Sequence, residues 1–252
     1  MKEISMPNRK LGVVILAAGK GTRMKRDDIP KVANLVLGKA LIQYVVDQAK
    51  ALKADIISVI VGHQKEKVIE ILSEEKIEFA FQEQQLGTGH AVLQTAEFFR
   101  NFNGDIIVLS GDVPLLSETT LLHLIETHKS NNFKATVLTV MAPNPHGYGR
   151  VLRTEGNLFQ CVVEEKDTDL TQRAIKEINS GIYIFDAKAL FSALPKVGNN
   201  NAQGEFYLPD VLSIFQQEGK KVGVEIAPNF NEIIGVNTVD DLKEVESILK
   251  LK

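Results

Sequence analysis

Short apolar runs rich in β-branched residues recur along the first half of the chain. Each is followed by a stretch whose apolar positions return every three or four residues. The two periods mark strand and helix in turn. The pattern predicts strands over 13–18, 56–61, 77–81 and 106–109. It predicts helices over 41–52, 66–72, 90–99 and 119–128, the last with Leu121, Leu122, Leu124 and Ile125 as its apolar face. Such alternation folds as a doubly wound, mostly parallel sheet. Val13-Val-Ile-Leu16 carries no polar position, as a strand buried on both faces requires. After about residue 134 the rhythm changes. Strands are expected over 135–140, 150–153, 158–163, 178–185 and 222–226, separated by turn-rich segments, and helices over 187–194, 208–217 and 240–249. The polar stretch 197–205 reads as a long loop, of the kind that is either functional or mobile.

Where the first run stops, the chain reads Leu16-Ala-Ala-Gly19-Lys-Gly21-Thr22-Arg23-Met24, and Pro30-Lys31 follows after five residues. Glycines let the backbone approach an anion and aim its N–H groups at it. Arg23, Lys25 and Lys31 add cations. The plain alternative is a tight strand-to-helix turn with solvated charges. The full run with Pro-Lys favours a phosphate loop. It is not a Walker A loop, which ends Gly-Lys-Ser/Thr, nor the dinucleotide fingerprint, which needs a third glycine where Met24 stands. No linker or internal repeat divides the chain, so 1–252 reads as one domain, with a nucleotide lobe over about 12–133 and a second lobe over about 134–240.

A carboxylate follows the strand at 106–109, in Ser110-Gly111-Asp112-Val113-Pro114. At the carboxyl end of a parallel strand it faces the same crevice as the glycine loop, where it is suited to hold Mg²⁺ against phosphates. The alternative is a helix N-cap. Ser117, not Asp112, stands just before the helical pattern. Gln82-Glu-Gln-Gln-Leu-Gly87-Thr88-Gly89-His90 also follows a strand and opens a helix. It is either a helix start or a place where backbone and amide groups read a base edge, with His90 expected to be structural. The segments 164–167 and 179–181 are surface turns or sugar contacts.

No Gly-x-Ser-x-Gly, His-Glu-x-x-His or cysteine cluster is present, so a covalent nucleophile has no candidate. Phosphoryl or nucleotidyl transfer needs none. An attacking phosphate is already largely dianionic, its second pKa being about 6, and the protein supplies position and positive charge. The net charge of −3 does not suggest a nucleic-acid face. No apolar run approaches the roughly 18 residues of a membrane span. With no signal peptide visible at the start and a single cysteine, Cys161, a cytoplasmic setting is expected. Cys161 lies in an apolar stretch and is expected to be a buried structural thiol.

The glycine run with Pro30-Lys31 resembles the signature of the sugar-1-phosphate nucleotidyltransferases. Gln85-Leu-Gly-Thr-Gly-His-Ala91, Gly111-Asp-Val-Pro114, Gly147-Tyr-Gly-Arg150, Val163-Glu-Glu-Lys-Asp167, Glu177-Ile-Asn-Ser-Gly181, Asn200-Asn-Ala-Gln-Gly-Glu205 and Gly235-Val-Asn237 resemble, within that family, the N-acetylglucosamine-1-phosphate uridyltransferases. The resemblance covers about residues 12–240. It implies an α/β fold, a Rossmann-like mixed, mostly parallel sheet flanked by helices, and a reaction between UTP and N-acetylglucosamine-1-phosphate with Mg²⁺ as cofactor. Leu16, Ala17, Gly19 and Gly21 would line the nucleotide, with Arg23 and Lys31 on its phosphates as the catalytic cations. Gln82, Gly87 and Thr88 would meet the uracil, Asp112 and Asn237 the metal, and Gly149, Glu164 and Asn179 the sugar.

Ser110 stands where the family often has Tyr, Ser180 where Thr is frequent, and Pro209 where Thr is usual. These touch the pocket wall more than its charges. The family's two-activity members continue into a hexapeptide-repeat β-helix that carries acetyl transfer and the trimer contacts. This chain shows no such period, so no acetyl transfer and a monomer or weak dimer are expected. Other readings stay open: the same chemistry on glucose-1-phosphate or with dTTP, a cytidylyl- or guanylyltransferase, or a silent subunit that binds nucleotide-sugar without turnover.

Overall fold

Val13, Val14 and Ile15 are wholly buried because strand β1 (Lys10–Ala17) lies between two parallel neighbours. Each such side chain contributes about 1.5–3 kcal/mol on burial. The structure is a computed structural model and describes residues 9–19, 21, 24 and 29–251. The strands after β1 are β2 (Leu35–Val36), β3 (Lys39–Ala40), β4 (Ile56–Val61), β5 (Glu78–Phe81), β6 (Gly104–Ser110), β7 (Ala135–Met141), β8 (Arg150–Arg153), β9 (Phe159–Val163), β10 (Glu177–Asp186) and β11 (Val222–Ile226). The helices are α1 (Leu41–Ala51), α2 (Lys65–Ile71), α3 (Thr88–Leu93), α4 (Glu118–Ser130), α5 (Leu170–Arg173), α6 (Ala187–Ala193), α7 (Asp210–Gln217) and α8 (Val239–Leu249).

The main sheet runs β11-β7-β10-β6-β1-β4-β5, with β8 pairing β10 and β9 pairing β8. The β1–β4, β1–β6, β4–β5 and β7–β11 pairs are parallel, whereas β10 is antiparallel to both β6 and β7. Leu16 pairs with Ser110 and Ala17 with Val61, so the loops after three parallel strands open at one edge of the sheet. Because β10 runs the other way, it is its first residues that reach that same edge. α1 buries Leu41, Ile42, Val45, Val46 and Ala49, a helical stripe read directly from the sequence. No helix of the described residues is long and apolar enough to cross a membrane.

The structure departs from the sequence reading in particulars. The helix expected over 90–99 is α3, and it ends at Leu93. Beyond it the backbone N–H groups of Gln94, Thr95 and Ala96 bond three residues back, and the Thr95 hydroxyl donates to the Val92 carbonyl at 2.7 Å. The α ladder is therefore replaced by tighter turns. Leu122 is exposed although Leu121 and Leu124 are buried, since it lies off the inward face of α4. The β2–β3 hairpin, too short to show a period of two, was not expected. Cys161 is half-buried rather than buried, and burial pushes its thiol up from the usual range.

Candidate active site

A cavity of about 500 Å³ opens at the carboxyl edge of the parallel strands. Leu16, Ala17, Gly19, Lys31, Gln82, Gly87, Thr88 and Asp112 line it, with Ala18, Val32, Gln85, Ala91, Ser110 and Glu205. Most residues expected at a nucleotide thus meet in one place. Gly21 takes a φ of +63°, and a Cβ there would lie 2.6 Å from Lys31 Cβ, so glycine lets the loop pack on Lys31. Arg23, with Thr22 and Lys25, lies outside the described residues.

Lys31 follows Pro30, whose φ is −65°, and opens a 3₁₀ turn. Its ammonium forms an ion pair with Asp112 Oδ2 and donates to Asn237 Oδ1 at 3.1 Å. The lysine side chain is only 18% exposed, so it is not a solvated cation. Asp112 is not a cap, because the Ser117 hydroxyl accepts from Thr120 N–H and opens α4. The Asp112 carbonyl accepts from Val236 N–H at 2.9 Å, which holds the 235–237 segment against it. Asn237 Nδ2 donates to the Gly235 carbonyl, leaving Oδ1 toward Lys31. A carboxylate and an amide oxygen converging on one positive charge are hard oxygen donors of the kind that could hold Mg²⁺. Among the described residues no three His, Cys, Asp or Glu side chains gather to cage an ion. An ion held here would therefore complete its shell with water or phosphate oxygens.

Gln82 is buried beside the cavity. Its Nε2 donates to the Gly87 carbonyl at 3.0 Å and lies 3.1 Å from His90 Nδ1. Thr88 Oγ1 accepts from Leu208 N–H at 3.0 Å, so this hydroxyl also ties two segments together. Gly87 has a φ of +108°, and a Cβ there would lie 2.6 Å from the Phe206 carbonyl oxygen. Gly89 N–H donates to that carbonyl and Phe206 N–H to the Leu86 carbonyl, each at 2.8 Å. This staple brings Glu205, the last residue of the polar loop, to the cavity wall.

Gly149 lies against both Glu164 and Asn179, while the main cavity is lined by none of the three. The Gly149 carbonyl accepts from Asn179 N–H at 2.9 Å, and a Cβ on Gly149 would lie 3.2 Å from Glu164 Oε1. Asn179 Oδ1 accepts from Gly181 N–H at 3.1 Å, and its Nδ2 donates to the Tyr183 hydroxyl at 2.7 Å. The β10–β7 register shifts between Asn179 and Tyr183, a bulge with Gly181 at a φ of +77°. A Cβ on Gly181 would lie 3.4 Å from Ser110 Oγ, which places the bulge beside the main cavity. Glu164 lines a neighbouring hollow with Asp167, Tyr207, Pro209 and Asp210. Burial first, then the charges of Asp167, Asp210 and Glu205, push its carboxyl up to about 7. Ser180 donates to the Leu138 carbonyl and accepts from Ile182 N–H, so its hydroxyl serves the bulge rather than a ligand.

Ser110, Glu205, His90 and Tyr183 had no ligand role in the sequence reading. Glu205 ends a polar loop and Tyr183 sits in an apolar strand; neither position signals its neighbours locally.

Residues 12–234 match the nucleotidyl transferase family. The bifunctional protein GlmU of Syntrophomonas wolfei subsp. wolfei is 46% identical over 241 residues, which are 96% of this chain and 53% of that protein. The bifunctional protein GlmU of Halalkalibacterium halodurans is 47% identical over 237 residues, 94% of this chain and 52% of that protein. The chain thus spans about half the length of the curated relatives it matches. A UDP-glucose pyrophosphorylase solved with UDP-glucose shares the fold, with a TM-score of 0.75 at 18% identity over 96% of this chain and 99% of that one.

Proposed function

The chain belongs to the nucleotidyl transferase family, and within it we propose uridylyl transfer from UTP to N-acetylglucosamine-1-phosphate, yielding UDP-N-acetylglucosamine and pyrophosphate. The observation that carries this reading is one cavity lined together by glycine-loop residues, the Gln82–Thr88 segment, Lys31 and Asp112.

A phosphate oxygen of the sugar phosphate bonds to the α-phosphorus of UTP, and the bond to the β-phosphate bridging oxygen breaks. Pyrophosphate leaves with the electron pair. The attacking dianion needs no general base, so the protein's work is position and charge. Lys31 turns from Asp112 to the phosphates and stabilises charge gathering on the leaving group, and Arg23 is assigned the same role. Leu16, Ala17, Gly19 and Gly21 supply backbone along the nucleotide, and Gln82, Gly87 and Thr88 meet the base. Asp112 and Asn237 would hold Mg²⁺, which when bound neutralises phosphate charge. Gly149, Glu164 and Asn179 receive the N-acetylglucosamine, where a carboxylate and an amide offer both acceptor and donor to sugar hydroxyls.

The test is pyrophosphate release over a grid of nucleoside triphosphates and sugar-1-phosphates. UTP with N-acetylglucosamine-1-phosphate is expected to be best by at least about tenfold in kcat/KM, or about 1.4 kcal/mol. The alternative is the same chemistry on glucose-1-phosphate or with dTTP. A higher kcat/KM for either would select it, and binding without turnover would select the silent subunit.

A further inference from the structure

We infer that His90 is a positioning residue that sets base choice by deciding which end of the Gln82 amide meets the base; this rests on the reading above that Gln82 faces the base. Gln82 is 4% exposed and lines the cavity. Its Nε2 carries two hydrogens. One goes to the Gly87 carbonyl at 3.0 Å, and the other has His90 Nδ1 within reach at 3.1 Å. Its Oε1 has no partner among the described residues, yet it is not sealed from solvent. The amide therefore offers the cavity an acceptor and no donor.

That arrangement calls for one tautomer of the ring. A nitrogen that accepts from Nε2 carries no proton, so the pairing requires the hydrogen of His90 on Nε2. Gln94 Nε2 lies 3.3 Å from the ring Nε2, an approach that would call for the opposite tautomer. The ring has one lone pair to give. Gln94 Nε2 already donates to the His90 carbonyl at 3.0 Å, and this half-buried amide can turn its other hydrogen to solvent. The second hydrogen of buried Gln82 has only His90, and an unmade bond there is the costlier one.

The consequence falls on pyrimidine choice. Uracil and thymine carry N3–H, a donor that matches Gln82 Oε1. Cytosine has a lone pair at N3, so acceptor would meet acceptor. A reversed amide would reverse the preference, and it would set Oε1 against the Gly87 carbonyl and, with the His90 hydrogen on Nε2, against Nδ1 as well. Removing His90 takes away one of those two latches.

The experiment compares kcat/KM for UTP and CTP with N-acetylglucosamine-1-phosphate. In His90→Leu the UTP:CTP ratio should fall by about three- to tenfold, the worth of one hydrogen bond, with the KM for the sugar phosphate unchanged. His90→Asn, whose side-chain carbonyl can accept in place of Nδ1, should hold the ratio within about twofold of the unaltered protein. In the unaltered protein, ¹⁵N chemical shifts should show the Nε2–H tautomer of His90. That measurement decides the matter if His90→Leu does not fold. A Nδ1–H tautomer, or a folded His90→Leu with an unchanged ratio, overturns the inference. If the unaltered protein does not prefer UTP to CTP, it is the placement of the base at Gln82 that has failed.

Discussion

The Lys31 ammonium and the Asp112 carboxylate, 81 positions apart, are ion-paired, with Asn237 Oδ1 3.1 Å from the same nitrogen. One cation thus holds the place between the two oxygens assigned to a metal. Lys31 and a divalent ion cannot share that place, so on the proposed roles Lys31 would compete with the metal until phosphates drew it away. Lys31→Met should therefore bind Mn²⁺ about tenfold more tightly without nucleotide, since an unpaired carboxylate in a partly buried site seeks a new cation. Isothermal titration or the free-Mn²⁺ signal in electron paramagnetic resonance reads this. Equal affinity would show that the lysine leaves at no cost.

Turnover should suffer in the same position. Loss of one preorganised cation from a transferring phosphate costs about 10²–10³ in kcat. Lys31→Ala is expected to lose that much, after correction for the folded fraction that its buried pairing makes necessary. Lys31→Arg should recover only part, because a planar fork does not replace a compact ammonium. Near-native kcat in Lys31→Ala would remove Lys31 from the mechanism.

Glu164 predicts a pH-dependent stability. Its carboxyl is raised to about 7 in the fold from an ordinary 4.5. Between those values the native state holds a proton that the unfolded chain has released, so stability falls as pH rises through the interval. Glu164→Gln should be nearly neutral below pH 4.5 and should stabilise by about 1–3 kcal/mol above pH 7. Urea titrations at both ends measure it. A gain that is the same at both ends would show that burial of this carboxyl does not control its proton.

Tyr183 is buried, and its hydroxyl accepts from Asn179 Nδ2 at 2.7 Å. Tyr183→Phe keeps the ring and frees one side of the Asn179 amide. The KM for the sugar phosphate should rise by about three- to tenfold, the worth of one hydrogen bond. The KM for UTP and kcat should stay near their original values. A uniform fall in kcat with unchanged KM would mark Tyr183 as part of the core alone.

Asp112→Ala should reduce pyrophosphate release to near background, and EDTA should do the same to the unaltered chain, since charge on the phosphates would go unbalanced. Full activity in EDTA would contradict an Mg²⁺-dependent reaction.

Local chemistry made the first half of the site legible. A strand buried on both faces writes itself as Val13-Val-Ile-Leu16, and a loop that must approach an anion writes itself in glycine. Asp112 at the end of β6 could be read the same way, because parallel strands all open at one edge. Resemblance, not pattern, supplied Asn237 and the trio Gly149, Glu164 and Asn179. Tertiary structure alone decided how they meet. The reversal of β10 brings Asn179 to the open edge and sets it on the Gly149 carbonyl. The Val236 bond to the Asp112 carbonyl carries Asn237 across to Lys31. Periodicity records which face of an element is buried, because burial repeats with the backbone. A bond between residues far apart in the chain repeats with nothing, and so the ion pair of Lys31 and the latch of His90 on Gln82 appear only when the chain is folded.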